Sequence, residues 1–434
     1  MRSQATTQIE RLHEGEGRKP RILMIASAFV PLVNPEAIVN AKLALAFIEH
    51  GWHVDIVSRR MADITDYKYG ERWEYPWESL RKHTFEVSYP HGGRLKRLIE
   101  TLWGGVTLGY PILGCRWGLH AYQKAKALHG KVHYDLILSR SQPDAAHLPA
   151  MALSKETGTP WIANWNDPSK MPPPYGKGPC ESLGFWHERF LKAVVKSASW
   201  ITFPSERQGR YMNQYLGANF VNKSSMIPHV AFNQARNAGQ IKADGFTIAY
   251  AGNITSERCP KSFLRGFKKF LGKVDNSEPI KFIFIGRDST GEIENARNNG
   301  LEKNIELLGS LGYEMCQQNL EECNVLLIVE APTEEGIFLP SKFIDYVQLG
   351  KPMLAVSPRE STVADYLHEY GGGIAADCKS SDEISNAIGA LYQQWQNKSL
   401  YQKFNSARLE EAFSPKNIIN QYELLIASMV KTHL

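Results

Sequence analysis

Phe246-Thr247-Ile248-Ala249-Tyr250-Ala251-Gly252 is an apolar, strand-forming run that ends on glycine, passes through the polar loop Asn253 to Pro260 and meets a helical pattern over Lys261 to Leu271. Strand, glycine turn and helix in that order open a βαβ unit, whose strands are buried on both faces and so read as short continuous apolar runs. Lys281 to Gly286 (KFIFIG), Ile305 to Gly309 (IELLG) and Val325 to Val329 (VLLIV) follow as further strands. The chain holds the same opening near its start: Arg21 to Ala28 (RILMIASA) is strand-like, Ala37 to His50 has helical periodicity stopped by Gly51, and His53 to Ser58 is the next strand. Two such halves predict an α/β chain of two Rossmann-like domains facing across a cleft.

Length agrees, since 434 residues exceed what a single core usually serves. The polar, glycine-containing stretch Asn233 to Asp244 (NQARNAGQIKAD) is the expected boundary. The expected division is a disordered or frayed N-terminus over 1–20, a first domain over 21–235, a second over 245–412, and a closing segment 413–434 built on the helix Pro415 to Val430. Residues 1–20 lack the apolar core of a signal peptide, and no run of 18 uncharged apolar residues exists to span a bilayer, so a cytoplasmic protein is expected. The six cysteines (Cys115, Cys180, Cys259, Cys316, Cys323, Cys378) lack metal-site spacing and are expected to be reduced thiols. Asn253-Ile254-Thr255 is formally a glycosylation sequon, which a cytosolic chain does not present to that machinery.

Charge is unevenly divided. Residues 1–240 hold 30 Lys+Arg against 20 Asp+Glu (+10), residues 241–434 hold 20 against 25 (−5), and together these give the chain's +5. The basic excess includes Arg94, Lys96, Arg97 and Arg116, set around the bulky apolar segment Leu98 to Tyr122 with Trp103, Leu108, Tyr110, Leu113 and Trp117. That mixture suits an interfacial element on an anionic membrane leaflet, and equally a buried helix pair with solvated basic ends. No nucleic-acid-binding motif accompanies the excess, so no nucleic acid is expected as a partner.

The chemistry concentrates in Pro340-Ser341-Lys342-Phe343-Ile344-Asp345-Tyr346, closed by Gly350-Lys351-Pro352. Pro340 and Ser341 can open a helix, Lys342 and Asp345 fall on one face of it, and a helix N-terminus attracts phosphate. Lys342 would add a charge for a diphosphate, and Asp345 would accept hydrogen bonds from a ribose. This segment resembles the donor-site motif of the family-4 retaining glycosyltransferases of the GT-B fold, in which Pro-x-Lys-x-x-Glu-Tyr runs into Gly-Lys-Pro, with Asp345 here replacing the usual Glu. The resemblance extends over most of the chain from Arg21 onward, is strongest between Gly252 and Pro352 and weakest between Asp63 and Pro90, and implies that the last helix crosses back to the first domain.

The resemblance assigns further residues. Gly252 and Asn253 permit close backbone approach to phosphate, and the family's Lys or Arg about six residues later selects Arg258, with Lys261 in reserve; Arg258 and Lys342 would then form a diphosphate clamp. Arg287, after KFIFIG, and Leu311, after IELLG, occupy positions where the family brackets the nucleobase. A Glu eight residues before the second acidic residue is common, but here that place is Ile337, so either Glu335 with a longer loop or Glu334 serves the donor sugar or that contact is absent, and Glu335 is chosen. In the first half, Tyr134 to Ser139 is a strand leading to Arg140-Ser141-Gln142-Pro143, and His147 matches the family's Ser-x-Pro-x-x-x-His as a partner for a donor-sugar hydroxyl or the acceptor. Asp167, in Asn166-Asp167-Pro168-Ser169, matches an Arg-Asp-Pro-Trp strand end with both neighbours changed, and would orient the acceptor, act as base, or simply cap a turn. Glu188 aligns with a family carboxylate. Ser27 to Ala37 lacks the Gly-Gly pair of many relatives, so Asn34, Pro35 and Glu36 would shape the acceptor side.

The implied activity is transfer of a sugar from a nucleotide-diphosphate donor to a glycan or polyprenyl-linked acceptor in cell-surface polysaccharide synthesis, with retention. No cofactor is expected beyond the donor substrate, and no metal, because an Asp-x-Asp motif is absent. The expected location is the cytoplasm, or the periphery of the inner face of the cell membrane. A nucleotide-sugar 2-epimerase, or a non-catalytic sugar-nucleotide-binding partner of a polysaccharide assembly, fits the same plan.

Overall fold

The computed structural model describes residues 19–32, 34–60, 77–88, 93–175, 184–216, 220–232, 245–275 and 278–431. The expectations for residues 1–18, the boundary Asn233 to Asp244 and Cys180 lie outside the described residues. The chain divides into two compact units, Met1–Met171 with Lys177–Val230 and Pro415–Leu434, and Pro172–Gly176 with Ala231–Ser414. The short piece 172–176, inside the expected first domain, clusters with unit 2.

Unit 1 holds a parallel sheet ordered β3-β2-β1-β4-β5-β6-β7, from Arg21–Ala26 (β1), His53–Arg59 (β2), Thr84–Val87 (β3), Leu136–Ser141 (β4), Trp161–Trp165 (β5), Trp200–Phe203 (β6) and Ser224–Met226 (β7). Unit 2 holds a second parallel sheet, β10-β9-β8-β11-β12-β13, from Phe246–Ala251 (β8), Ile280–Ile285 (β9), Ile305–Gly309 (β10), Val325–Val329 (β11), Met353–Ser357 (β12) and Gly373–Asp377 (β13). The fold is therefore two parallel α/β units, as the two βαβ openings predict. Strand order reverses between β1 and β4 in one sheet and between β8 and β11 in the other. Open α/β sheets bind ligands at the carboxyl ends of the strands at such switch points.

The helices that bear on function are Pro35–Glu49 (α1), Arg94–Leu108 (α2), Cys115–Val132 (α3), His147–Thr157 (α4), Gly184–Ser197 (α5), Lys261–Leu271 (α6), Tyr313–Glu321 (α7), Ser341–Leu349 (α8) and Pro415–Lys431 (α9). Asn34 caps α1, its Oδ1 accepting from Ala37 N–H at 2.7 Å. Gly350, in the left-handed region at φ 63°, ends α8 with its N–H on Tyr346 O and Val347 O. In unit 1, α9 lies on α1: the fully buried Phe47 meets Trp52 at 4.9 Å and Tyr422 of α9 at 5.0 Å between ring centroids.

Two readings of the sequence need correcting. β4 runs through Ser141 rather than ending at Ser139, which makes Arg140 and Ser141 strand residues and leaves Tyr134 outside the strand, where its hydroxyl donates to the buried Asp55. The segment Leu98 to Tyr122 is neither wholly interfacial nor wholly core. Leu108 and Trp117 are buried, whereas Trp103 is exposed because α2 packs through one face only, and Leu113 is exposed in the connection between α2 and α3.

Phe47→Ala is expected to lower unfolding free energy by roughly 3–5 kcal/mol, since the lost ring leaves a cavity against Trp52 and Tyr422. Urea denaturation of parent and variant measures it, and a loss under about 1 kcal/mol would mean that α9 draws little on this contact.

Candidate functional site

The carboxyl edge of the unit 2 sheet is drawn together by backbone bonds between its loops. Gly252 N–H donates to Ile285 O at 2.7 Å, Gly286 N–H to Gly309 O at 2.7 Å, and Ile254 N–H to Arg287 O at 2.9 Å. Glycine is required at both turns. A Cβ on Gly286 (φ 144°) would sit 2.2 Å from Gly252 O, and one on Gly252 (φ 128°) would sit 2.5 Å from Lys342 Nζ. Lys342, in the first turn of α8, thus fills the space that the absent Gly252 side chain leaves. Its ammonium donates to the Tyr250 hydroxyl at 2.8 Å and lies 4.3 Å from the centre of the Tyr250 ring. Among the described residues, no carboxylate is within ion-pair distance of it. Two motifs far apart in the sequence, GN and PSKFID, meet in one place.

Asp345 is half-buried one turn further along α8, and its Oδ1 accepts from the Tyr313 hydroxyl of α7 at 3.1 Å. Burial and the neighbouring Asp345 charge hold the Tyr313 hydroxyl well above its usual range, so it remains a donor that orients the carboxylate. Cys316, one turn along α7, feels Asp345 and Lys342; burial first, then Asp345, pushes its thiol up to about 11, which makes it a packing residue and not a nucleophile. Arg287 is exposed at the end of β9, its N–H on Asn253 Oδ1 at 3.3 Å, and Leu311 is half-buried after β10. Pro340 is the N-cap of α8 at ψ 139°, and Ser341 starts the helix without a side-chain cap.

Arg258, in the loop after β8, has its guanidinium 5.4 Å from the centre of the Tyr175 ring and its Nε donating to the Tyr175 hydroxyl at 3.3 Å. Tyr175 lies in the 172–176 piece that belongs to unit 2 and packs edge-on against Phe338 at 5.2 Å. Arg258 also faces Glu330, the first residue after β11. Burial pushes that carboxyl up to about 7 against the pull of Arg258 and the Ser361 side chain, and its Oε2 is buried without a hydrogen-bond partner. Glu335 is half-buried, with its carbonyl accepting from Thr333 Oγ1 at 2.9 Å. Glu330 is thus the carboxylate that the structure brings to Arg258, a residue sequence reasoning passed over in favour of Glu335. Its place at the end of VLLIV was the available signal. Tyr175 had none. Lys261 opens α6 in an ion pair with Glu292 at 3.0 Å.

At the carboxyl edge of the unit 1 sheet, Glu36 of α1 accepts from Gln142 N–H at 3.0 Å and from Asn166 Nδ2. Burial and the adjacent Asp167 charge push it up to about 8, with Asn166, Arg140 and Gln142 pulling the other way. Arg140 is buried, with Nε on Asn40 Oδ1 at 2.7 Å, and faces the Tyr422 hydroxyl of α9. Asp167 and Glu36 therefore form a half-buried carboxylate pair at the β1/β4 switch point.

His147 lies deeper. It is fully buried against Trp165 at 4.5 Å, its Nδ1 on Ser139 Oγ at 2.8 Å, and burial takes its pKa down to about 4, so the ring is neutral. Next to it Asp144 accepts from Ser141 Oγ at 2.8 Å, Trp165 Nε1 at 3.0 Å, Ser169 Oγ at 3.0 Å and His187 Nε2 at 2.9 Å. Burial alone would raise that carboxyl, but His187, the His147 interaction and Ser141 outweigh it and hold it at about 2. Glu188 is solvated on α5, paired with Lys192 at 2.7 Å. Among the described residues, no group of three or more His, Cys, Asp or Glu is placed to hold a metal ion.

Solved structures resemble this chain over nearly its whole length. Sucrose-phosphate synthase from Thermosynechococcus elongatus matches 96% of the chain and 100% of its own, at 15% identity and TM-score 0.63. HepE from Anabaena in complex with UDP and glucose matches over 94% and 100%, at 15% identity and TM-score 0.62. The lipopolysaccharide outer core galactosyltransferase WaaB matches over 94% and 99%, at 12% identity and TM-score 0.58. No protein-family model matches the chain, and no curated protein does. At these identities the likeness shows the fold, two Rossmann-like parallel α/β units of the GT-B class.

The Glu36 carboxyl gives a pH test. A proton bound more tightly by the folded chain than by the unfolded one stabilises the fold at low pH, and that contribution is lost as pH rises from the ordinary 4.5 through about 8. Glu36→Gln keeps an acceptor oxygen for Gln142 and removes the titration. The variant should therefore gain stability relative to the parent across this window in denaturant titrations, and a difference constant with pH would show that Glu36 does not hold the proton.

Proposed function

We propose that this chain is a glycosyltransferase that moves a sugar from a nucleotide-diphosphate donor to a glycan or polyprenyl-linked acceptor in cell-surface polysaccharide synthesis. The observation that carries the reading is Lys342: an ammonium seated over Gly252 at a strand switch point, at the start of a helix, with a hydroxyl and a ring as its partners in place of a carboxylate. A cation held in that way is positioned for an anion that arrives with the substrate. Anabaena HepE, solved in complex with UDP and with UDP-glucose, supports a donor of this class by analogy.

In this reading the diphosphate lies on the Gly252–Asn253 turn and the N-terminus of α8, with Lys342 against it. Arg258, held by Tyr175, supplies a second cation. As the bond from sugar to diphosphate breaks, negative charge grows on the leaving phosphate, and cations already in place lower the barrier without reorganising. These charges occupy the role that a divalent metal has elsewhere, and the reaction is proposed to run without one. Asp345, oriented by Tyr313, accepts from the ribose hydroxyls. Arg287 and Leu311 flank the base, and Glu335 is the residue proposed for the donor sugar. On unit 1, Asp167 with Glu36 receives the acceptor hydroxyl, and His147 stays a neutral hydrogen-bonding group within the fold. Retention is carried over from the family resemblance. The place of work is the cytoplasm or the inner membrane face.

Incubation with a panel of nucleoside-diphosphate sugars, with and without glycan and polyprenyl-linked acceptors, tests this through nucleotide release and product mass. Release that depends on acceptor is expected. Binding without turnover would identify a non-catalytic partner, and interconversion of the donor sugar an epimerase. Lys342→Ala and Arg258→Ala should each lower turnover by on the order of 10²–10³ while the melting temperature holds, the usual loss for one preorganised electrostatic donor; unchanged turnover in both would remove the clamp. Asp345→Asn should weaken nucleotide affinity before it lowers turnover, because an amide offers one acceptor oxygen where a carboxylate offers two. Calorimetric titration with nucleoside diphosphates separates the two effects.

A further inference from the structure

Helix α2 is built inside out. At 100° per residue, Leu95, Leu98, Ile99, Leu102, Trp103 and Val106 cover an arc of about 140°, and these side chains are between 56% and 77% exposed. The opposite face does the packing, and apart from Leu108 at its end it is small or polar. Glu100 takes Arg116 of α3 in an ion pair, and Cys115 Sγ points at Thr101 O at 3.8 Å. A Cβ on Gly104 would lie 3.0 Å from Cys115 O, so α2 and α3 approach through their backbones; Leu108 completes the inner face. An amphipathic helix in a globular protein ordinarily buries its apolar stripe. Here unit 1 is satisfied by the other side, and the stripe is left outside.

The cations say what fits it. Arg94 falls at one border of the apolar arc and Lys96 at the other, both exposed, with Lys96 only loosely engaged by Glu100 at 3.9 Å. Arg97 is exposed in the same turn. An apolar sector bordered by bases, with a tryptophan on it, matches the headgroup-to-acyl boundary of an anionic bilayer, where the stripe sinks in and the bases meet lipid phosphates. A second exposed aromatic pair, Phe185 and Trp186 with Arg189 stacked at 5.2 Å, opens α5, and both α2 and α5 pack on α4. No helix among the described residues is long and apolar enough to cross a membrane, so any association through α2 is of the surface kind.

We propose that the outward face of α2 is a membrane-docking element that binds an anionic lipid surface, with the apolar arc inserted and Arg94 and Lys96 on the headgroups. The docking does not depend on the transfer chemistry and is tested without nucleotide or acceptor, so a failure of either idea leaves the other standing.

Flotation of the full chain with phosphatidylglycerol/phosphatidylcholine vesicles, and with phosphatidylcholine alone, at low and high salt, reads the binding. The parent should float with the anionic vesicles at low salt and partly release as salt rises. Arg94→Gln with Lys96→Gln should reduce the low-salt partition coefficient about 25-fold, which is about fivefold for each base at about 1 kcal/mol apiece. Leu98→Gln, Leu102→Gln and Trp103→Gln together should abolish flotation at either salt while leaving the melting temperature unchanged, since those side chains support nothing inside. Leu108→Gln, on the inner face, should instead destabilise the fold, which separates lost docking from lost structure. A parent that ignores anionic vesicles at low salt overturns the proposal, as does a triple variant that floats like the parent. Light scattering covers the remaining occupant: a parent that self-associates through α2 in solution and does not bind vesicles would assign the face to a second copy of the chain.

Discussion

The carboxyl edge of the unit 2 sheet depends on a missing atom. Gly252 has no Cβ, and the Lys342 ammonium stands 2.5 Å from where that atom would be. A β-carbon there would expel the lysine from the turn, and the positive φ of Gly252 would strain any other residue. Gly286 repeats the constraint one strand over, where its bare Cα lets the Gly252 carbonyl approach. The loops after β8, β9 and β10 can therefore lie edge to edge, with Arg287 N–H on Asn253 Oδ1 and Lys342 of α8 beside Gly252. The aromatic support beneath it, Tyr250, offers a ring face and a hydroxyl but no charge, so the positive potential of Lys342 is directed without being cancelled.

The two polar centres of unit 1 show how donor count decides the state of a buried carboxyl. Asp144 is buried and Glu36 half-buried, and desolvation favours the protonated form of each. Asp144 receives four hydrogen bonds, one of them from His187, and stays ionised at about 2. Glu36 receives two and stands beside another carboxylate, Asp167, and it holds its proton to about 8. The first is a structural anchor that ties Ser141, Trp165, Ser169 and His187 around His147. The second carries a proton near neutral pH beside a strand switch point, which suits work on a hydroxyl.

Much of this was legible in the amino-acid order because strand ends and glycine turns have local signatures. The Phe246–Gly252 run, the loop after it and the helix from Lys261 announce a βαβ unit without any tertiary information, and Pro340 to Asp345 announces a helix start with a base and an acid on one face. What was not legible depends on through-space neighbours. Tyr175 has no signal in its own sequence, yet it supports Arg258. Glu330 and Glu335 are the same letter, set apart in sequence only by the place of Glu330 at the end of VLLIV, and the weight of that place shows only in space, where Glu330 is buried opposite Arg258. His147 reads as a partner for a donor-sugar hydroxyl or the acceptor, and its burial against Trp165 and Ser139 is not visible in the order of residues. In the segment from Leu98 to Tyr122 composition shows abundant apolar surface, but which half faces inward is set by Gly104 and the Glu100–Arg116 pair, which periodicity alone does not rank.

A crystal structure grown with UDP, the nucleotide present in the Anabaena HepE structures, tests the central claim most directly. The account predicts the diphosphate against the Gly252–Asn253 turn with an oxygen in contact with Lys342 Nζ, and the ribose on Asp345. Nucleotide bound elsewhere on unit 2, with Lys342 still on Tyr250 and no phosphate near it, would contradict it.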